Sequence, residues 1–179
     1  MSAQRRLFFA LSLPPKLQKQ VIQWRADHFP EDTGRPIAAA NLHLTLAFLG
    51  EVSEQKETAL RSVAGRIDAK GFSLCIDDAG HWPGAGVVWL GTRRAPRPLL
   101  QLAEILRSHA ARNGCYQSAL PFHPHISLFR AATRQVAIPP ATPHWTLEAL
   151  EFGLYQSIYE RGRTRYSLLQ SWPLPAPLA

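Results

Sequence analysis

Two histidines stand in matching surroundings: His43 in "NLHLTLAFLG" (41–50) and His125 in "PFHPHISLFR" (121–130). Each is followed two residues later by a hydroxyl, Thr45 or Ser127, within an otherwise apolar run. Strand alternation puts Leu42, Leu44, Leu46 and Phe48 on one face of the first segment, with Asn41, His43, Thr45 and Ala47 on the other. In the second segment Phe122, Ile126 and Leu128 take one face, and His123, His125 and Ser127 the other. Each strand thus buries an aliphatic face and presents an imidazole beside a hydroxyl. Imidazoles titrate near neutrality, so two in one cleft can divide proton transfer, one neutral as base and one protonated as acid. Phosphodiester cleavage needs that division: a water or hydroxyl loses a proton while the leaving oxygen gains one. The Thr45 and Ser127 hydroxyls can hydrogen-bond phosphate oxygens, and the scheme calls for no metal. "HPH" at 123–125 has His-x-His spacing but no third ligand to complete a zinc site.

A single strand histidine is more often structural than catalytic; repetition of the pattern reverses that weighting. His28, His81, His109 and His144 lack such a context and read as surface or packing residues. His123 shares a face with His125 and is the residue most easily mistaken for a member of the site. Arg130 falls on the parity of the buried face, so the strand must end or bulge before it to free the guanidinium.

The elements that would position these residues alternate along the chain. "RRLFFALSL" (5–13) reads as a strand, and Pro14-Pro15 open a helix through "KLQKQVIQWRADHF", proline being tolerated in a first helical turn. Ser53 caps a second helix over "EQKETALRSVAGRIDA", whose Leu60, Val63, Ala64 and Ile67 follow helical spacing. "FSLCIDDAGHW" and "GVVWLGT" read as two strands around the turn "PGAG". A third helix, "LLQLAEILRSHAARNG", follows Pro96 and Pro98 and stops at Gly114. "WTLEALEFGLYQSIY" and "TRYSLLQSW" form a terminal pair of strands turning at Gly162, before the proline-rich "PLPAPLA". Strand, helix and histidine strand occur twice: 35 residues separate Phe8 from His43, and 37 separate Val88 from His125. That spacing suggests a duplicated unit, two pseudo-symmetric lobes within one domain spanning 1–179.

Composition bounds the rest. The 179 residues, 46% hydrophobic and 18% charged, suit a soluble globular protein, and no apolar run reaches the roughly 18–20 residues needed to span a bilayer. The apolar "LFFALSL" is followed by no small-residue cleavage site, so the chain reads as cytoplasmic and without membrane association. Cys75 and Cys115 are too few and too far apart for a thiolate metal site or a disulfide framework, and read as small core residues. Twenty Lys and Arg against thirteen Asp and Glu give +7, which suits a polyanionic partner such as nucleic acid. The arginines gather in "GTRRAPRP" (91–98), "FRAATRQ" (129–135) and "YERGRTRYS" (159–167). Their planar forks fit phosphate oxygens.

"HLTL" at 43–46 and "HISL" at 125–128 resemble the paired His-x-Thr/Ser-x motifs of the two-histidine (2H) phosphoesterases. "RLFFAL", "NLHLTLAFLGEV", "FHPHISLFR" and "RGRTRY" more closely resemble, in order and over nearly the whole chain, the RNA 2′,3′-cyclic phosphodiesterases, also called the 2′-5′ RNA ligase family. The resemblance implies an α+β, bilobal fold with two antiparallel sheets lining a central cleft and helices outside. It implies hydrolysis of RNA 2′,3′-cyclic phosphate ends, such as those of tRNA halves, to 2′-phosphomonoesters by a monomer using no cofactor. By this analogy His43 is the proton donor to the leaving 3′ oxygen, and His125 the acceptor that activates water. Thr45 and Ser127 would bind the phosphate, and Arg130 matches a recurrent arginine that contacts phosphate or base. The family's second activity joins a 2′,3′-cyclic phosphate to a 5′-hydroxyl, the same chemistry with ribose replacing water. Two other readings remain: a cyclic phosphodiesterase of small nucleotides, and a basic RNA-binding module with structural histidines. Phe8, Phe9, Trp82, Trp89 and Tyr155 could stack bases under any of these.

Overall fold

A computed structural model describes residues 4–176; the ends of the N-terminal run and of the proline-rich tail lie outside the described residues. Ten strands and three α-helices follow in the order β1 (Arg5–Ser12), α1 (Pro15–His28), β2 (Arg35–Pro36), β3 (His43–Val52), α2 (Glu54–Ala64), β4 (Phe72–Ile76), β5 (Asp78–Trp82), β6 (Val87–Gly91), α3 (Arg97–Arg112), β7 (His125–Arg130), β8 (Trp145–Ala149), β9 (Glu151–Glu160) and β10 (Arg163–Pro173). Eight strands form one antiparallel sheet in the order β10-β9-β1-β3-β7-β6-β5, with β2 pairing beside β7. β4 and β8 form a separate two-stranded sheet. The class is the expected α+β with antiparallel sheets, and the large sheet has two halves joined at a narrow seam. β3 and β7 share a single Cα pairing there, Leu44 with Ile126.

The helices begin and end where the sequence places its stops. Pro15 occupies the first turn of α1, the Ser53 hydroxyl accepts from the Lys56 N–H at the start of α2, and Gly114 takes a φ of 80° just beyond α3. α2 is shorter than its periodicity suggests and stops at Ala64, with Gly65 as its C-cap. Two long stretches that read as single strands each split into strands of different sheets. "FSLCIDDAGHW" divides at Asp77, sending β4 to β8 and β5 to β6, and "WTLEALEFGLYQSIY" divides at Leu150. The β9–β10 turn puts Arg161 and Gly162 both at positive φ, a two-residue hairpin geometry that glycine accommodates.

The main core lies between one face of the large sheet and the helices. Leu44, Leu46, Ile126 and Leu128 from the two histidine strands meet Leu99, Leu102 and Leu106 of α3 and Leu17 and Val21 of α1 in it. Cys115 is buried in this core, but Cys75 is not. It falls between the buried Leu74 and Ile76 on β4, so alternation turns it to the outer face. No helix among the described residues is long and apolar enough to cross a membrane.

Candidate active site

The opposite face of the large sheet is open, and the seam brings both histidine strands to it. Pairing Leu44 with Ile126 in an antiparallel register sets His43 across from Ser127 and Thr45 across from His125. All four side chains are half-buried, while Leu44 and Ile126 between them are buried in the core.

Both imidazoles are held in the same way. His43 Nδ1–H donates to the Asn41 carbonyl at 2.7 Å, and His125 Nδ1–H donates to the His123 carbonyl at 2.8 Å. A proton fixed on Nδ1 leaves Nε2 of each neutral ring free to accept, turned away from its own backbone. His43 Nε2 accepts from the Thr45 hydroxyl at 2.9 Å. The pKa of His43 is lowered to about 4, chiefly by burial, with the charges of Arg130 and His125 acting in the same direction and the Asn41 carbonyl opposing them. Burial also lowers that of His125, helped by His123 and Arg130 and opposed by the His123 carbonyl.

Two buried aromatics outside the main core floor the cleft. Phe8 lies under His43, with ring centroids 4.8 Å apart, and Tyr166 meets both edge-on at 5.0 and 4.9 Å. Trp89 lies against His123 at 4.8 Å and Trp82 at 5.1 Å, and Trp82 packs on His125 at 4.7 Å. Trp89 fits because it crosses Gly80 of the neighbouring strand, where an added Cβ would stand 2.2 Å from its ring.

A β-bulge follows each histidine motif and decides what else enters the cleft. The register of β3 on β1 slips between Thr45 and Ala47, so Leu46 and Ala47 both face the core and Phe48 turns out, 62% exposed. The register of β7 on β6 slips between Ser127 and Phe129, so Leu128 and Phe129 are both buried and Arg130 turns out. The bulge expected before Arg130 is therefore present. The core positions expected for Phe48 and the open position expected for Ala47 are exchanged, because alternation was carried through a bulge. Phe48 and Arg130 each stand five residues beyond a motif histidine, a repeated spacing that could have revealed Phe48.

Arg130 donates to the Tyr166 hydroxyl at 3.2 Å and lines a recess of about 340 Å³ with His43, Phe8, Arg6, Phe48 and Tyr159. A second recess of about 490 Å³ is lined by Thr45, His125, Trp82, Phe122, His123 and Tyr116, with Phe48 shared between them. Asn41 was not singled out by sequence: its side-chain amide donates to the Thr164 carbonyl and its oxygen accepts from the Tyr166 N–H, tying β10 beside His43. Of the aromatics named from sequence, Phe9 belongs to the core, Phe8 and Trp89 are buried under the histidines, and Trp82 lines the cleft. His81 bonds the Ala132 carbonyl and His28 the Trp24 carbonyl, the packing roles expected of them.

The 2′-5′ RNA ligase superfamily model matches residues 13–154, which include both histidine motifs and Arg130. The chain belongs to that superfamily. It is 58% identical to the RNA 2′,3′-cyclic phosphodiesterase of Escherichia coli, over 97% of this chain and 99% of the relative. It is 29% identical to the RNA 2′,3′-cyclic phosphodiesterase of Thermus thermophilus, covering 94% of this chain and 90% of that one. Among solved superfamily structures, E. coli LigT complexed with 3′-AMP matches with a TM-score of 0.92 at 58% identity, covering 96% of this chain and 98% of that one. A Thermus thermophilus protein, TT0787, matches with a TM-score of 0.82 at 26% identity, over 96% and 98% of the two chains. The fold of these solved structures is thus shared along nearly the whole chain.

Proposed function

We propose that this chain hydrolyses RNA 2′,3′-cyclic phosphate ends to 2′-phosphomonoesters, with His43 and His125 as the acid–base pair. The observation that carries the reading is the twofold repetition of one device at the seam: an imidazole fixed through Nδ1, a hydroxyl two residues on, and a bulge. The identity to the E. coli phosphodiesterase supports the substrate class. The +7 charge favours encounter with RNA.

In the reaction, water attacks phosphorus, a new P–O bond forms and the P–O3′ bond breaks. His125 Nε2 takes the proton of the attacking water, and His43, protonated at Nε2, gives its proton to the departing 3′ oxygen. A histidine whose pKa burial has lowered to about 4 is a strong acid once charged, which suits His43 to the donor role. The entering phosphate monoanion compensates the imidazolium in the low-dielectric cleft and draws the proton in. Thr45 and Ser127 would hold the non-bridging oxygens, and Arg130 the phosphate charge or the terminal base.

The second recess favours ligation as a second reading. It gives the His125 side far more room than a water needs, and its aromatic walls suit a nucleoside whose 5′-hydroxyl replaces water as the nucleophile.

A short RNA ending in a 2′,3′-cyclic phosphate, incubated in EDTA with wild type, His43→Ala and His125→Ala, tests the proposal. A 2′-phosphate product made by wild type and lost in both variants is expected. Turnover of a free cyclic nucleotide but of no RNA end would move the assignment to a small-nucleotide phosphodiesterase. Binding of RNA without turnover would leave a binding protein with structural histidines.

A further inference from the structure

We propose that Cys75, Asp77 and His144 form a three-ligand site for a thiophilic divalent cation, zinc above others, on the outer face of the β4–β8 sheet. Their ligand atoms all lie within 4.8 Å of one another. The register that pairs Ile76 with Trp145 sets Asp77 across from His144, one residue beyond each strand end. Cys75 lies two residues from Asp77 on the same strand face. The thiol and the carboxylate thus come from one edge and the imidazole from the other.

The spacing suits coordination. Cys75 Sγ lies 3.7 Å from His144 Nε2 and 3.9 Å from Nδ1. Sulfur and nitrogen bound tetrahedrally to one zinc, at about 2.3 and 2.0 Å, stand about 3.5 Å apart. Asp77 is already oriented by a neighbouring donor, because the Arg93 N–H bonds its Oδ1 at 2.9 Å. The Arg93 guanidinium also reaches Thr142, two residues before His144. Thiolate, imidazole and carboxylate together favour zinc over magnesium or calcium, and three protein ligands leave a fourth position for water. On binding, the Cys75 S–H bond breaks, its proton passes to solvent and an S–metal bond forms. No electron transfer is involved.

Sequence reasoning weighed the two cysteines against each other and found them too far apart. The ligand set instead takes one cysteine and residues brought to it by strand pairing. Neither β4 nor β8 lines either recess, so the cation would fasten the mouth of the small sheet and leave the cleft chemistry alone. The proposal does not depend on the proposed reaction.

Cobalt(II) titration of untagged, metal-free protein under reducing conditions tests it. One equivalent is expected to develop a thiolate-to-cobalt charge-transfer band, displaced by zinc, in wild type, Cys115→Ser and His125→Ala. Cys75→Ser and His144→Ala are expected to lack the band while melting, without metal, as wild type does. Zinc at a hundredfold excess over Kd should raise the wild-type Tm by about 5–10 °C and leave the two variants unmoved. No band at one equivalent, or a band that survives either Cys75→Ser or His144→Ala, would overturn the site.

Discussion

Leu44 pairs with Ile126, and this one Cα pairing joins the two halves of the eight-stranded sheet. Both side chains are buried in the core, at 2% and 1% exposure. The residues flanking each therefore emerge on the opposite face, which is how four polar groups from distant parts of the chain come to one place. The hydrophobic contact holds the register, and the register holds the chemistry. A one-residue slip would send either histidine into the core.

If the two histidines divide acid and base work, removing either leaves the reaction with half of its proton transfer. His43→Ala and His125→Ala should each lower kcat by roughly 10²–10⁴-fold, the usual size of a general acid–base contribution. The double variant should fall little further than the worse single one, because groups acting as a unit are not additive. Single-turnover rates on a cyclic-phosphate RNA end measure this, and a double loss equal to the product of the single losses would mean independent roles.

The lowered histidine pKa values fix the direction of the pH profile. Catalysis requires one proton on the pair, yet burial holds both imidazoles neutral to below the ordinary 6.5, His43 to about 4. kcat/KM, which reports the free enzyme, should fall as pH rises from below 6.5. kcat, which reports the complex with the phosphate anion bound, should hold to higher pH. Stability moves the other way. Unfolded His43 binds its proton near 6.5 and the folded form only near 4, so acidification between these values favours unfolding by up to about 3 kcal/mol, and His43→Gln should remove that slope. Rate profiles and urea melts across pH 4–8 check both.

The sequence makes the motif strands legible because period-two alternation with a polar side chain on one face is a local signal. His43, Thr45, His125 and Ser127 all emerge where alternation puts them. Arg130 was legible through the recurrent arginine it matches, and its parity then demanded the bulge that frees it. Phe48 was misplaced because a bulge leaves no trace in hydrophobicity: leucine, alanine and phenylalanine in a row suit either parity. The division of the long runs at Asp77 and Leu150 was likewise hidden: leucine is no turn former, the single Asp-Asp step passes within a strand-like run, and pairing partners far along the chain decide where each run splits. Asn41 escaped because its work is done on β10, more than 120 residues away.

Acid–base chemistry by two imidazoles and two hydroxyls asks nothing of a metal. Turnover in EDTA should therefore match turnover in added zinc within about twofold. If Cys75, Asp77 and His144 hold a cation, the same chelation lowers the Tm while the rate stays constant. A rate abolished by EDTA and restored by zinc would put a Lewis acid in the cleft in place of the histidine pair.

Phe48 stands between the two recesses with most of its ring exposed, so its removal should leave stability within about 0.5 kcal/mol. If it stacks on a base, Phe48→Ala forfeits about 1–3 kcal/mol of binding, a rise in KM of roughly 5–150-fold with little change in kcat. Phe48→Tyr should restore most of it. A Phe48→Ala enzyme with unchanged KM on RNA ends would place the base elsewhere.

Gly80 leaves the room that the Trp89 ring fills beneath the cleft. It pairs with Trp89 across the β5–β6 ladder, and the Trp89 ring lies over the place a side chain would occupy. Trp89 packs on His123 and on Trp82, and Trp82 packs on His125. A methyl group at residue 80, 2.2 Å from a ring atom, must displace an indole that is itself 7% exposed. Gly80→Ala should cost about 1–3 kcal/mol of stability as overpacking. It should also lower kcat by up to roughly 10²-fold, since about 1 Å of displacement at a catalytic group has that effect. Trp89→Phe in the Gly80→Ala background removes the clashing six-membered ring of the indole and should recover part of both losses. Urea melts and kcat for the two single variants and the pair decide it: full activity in Gly80→Ala would show that His125 keeps its place without the tryptophan floor.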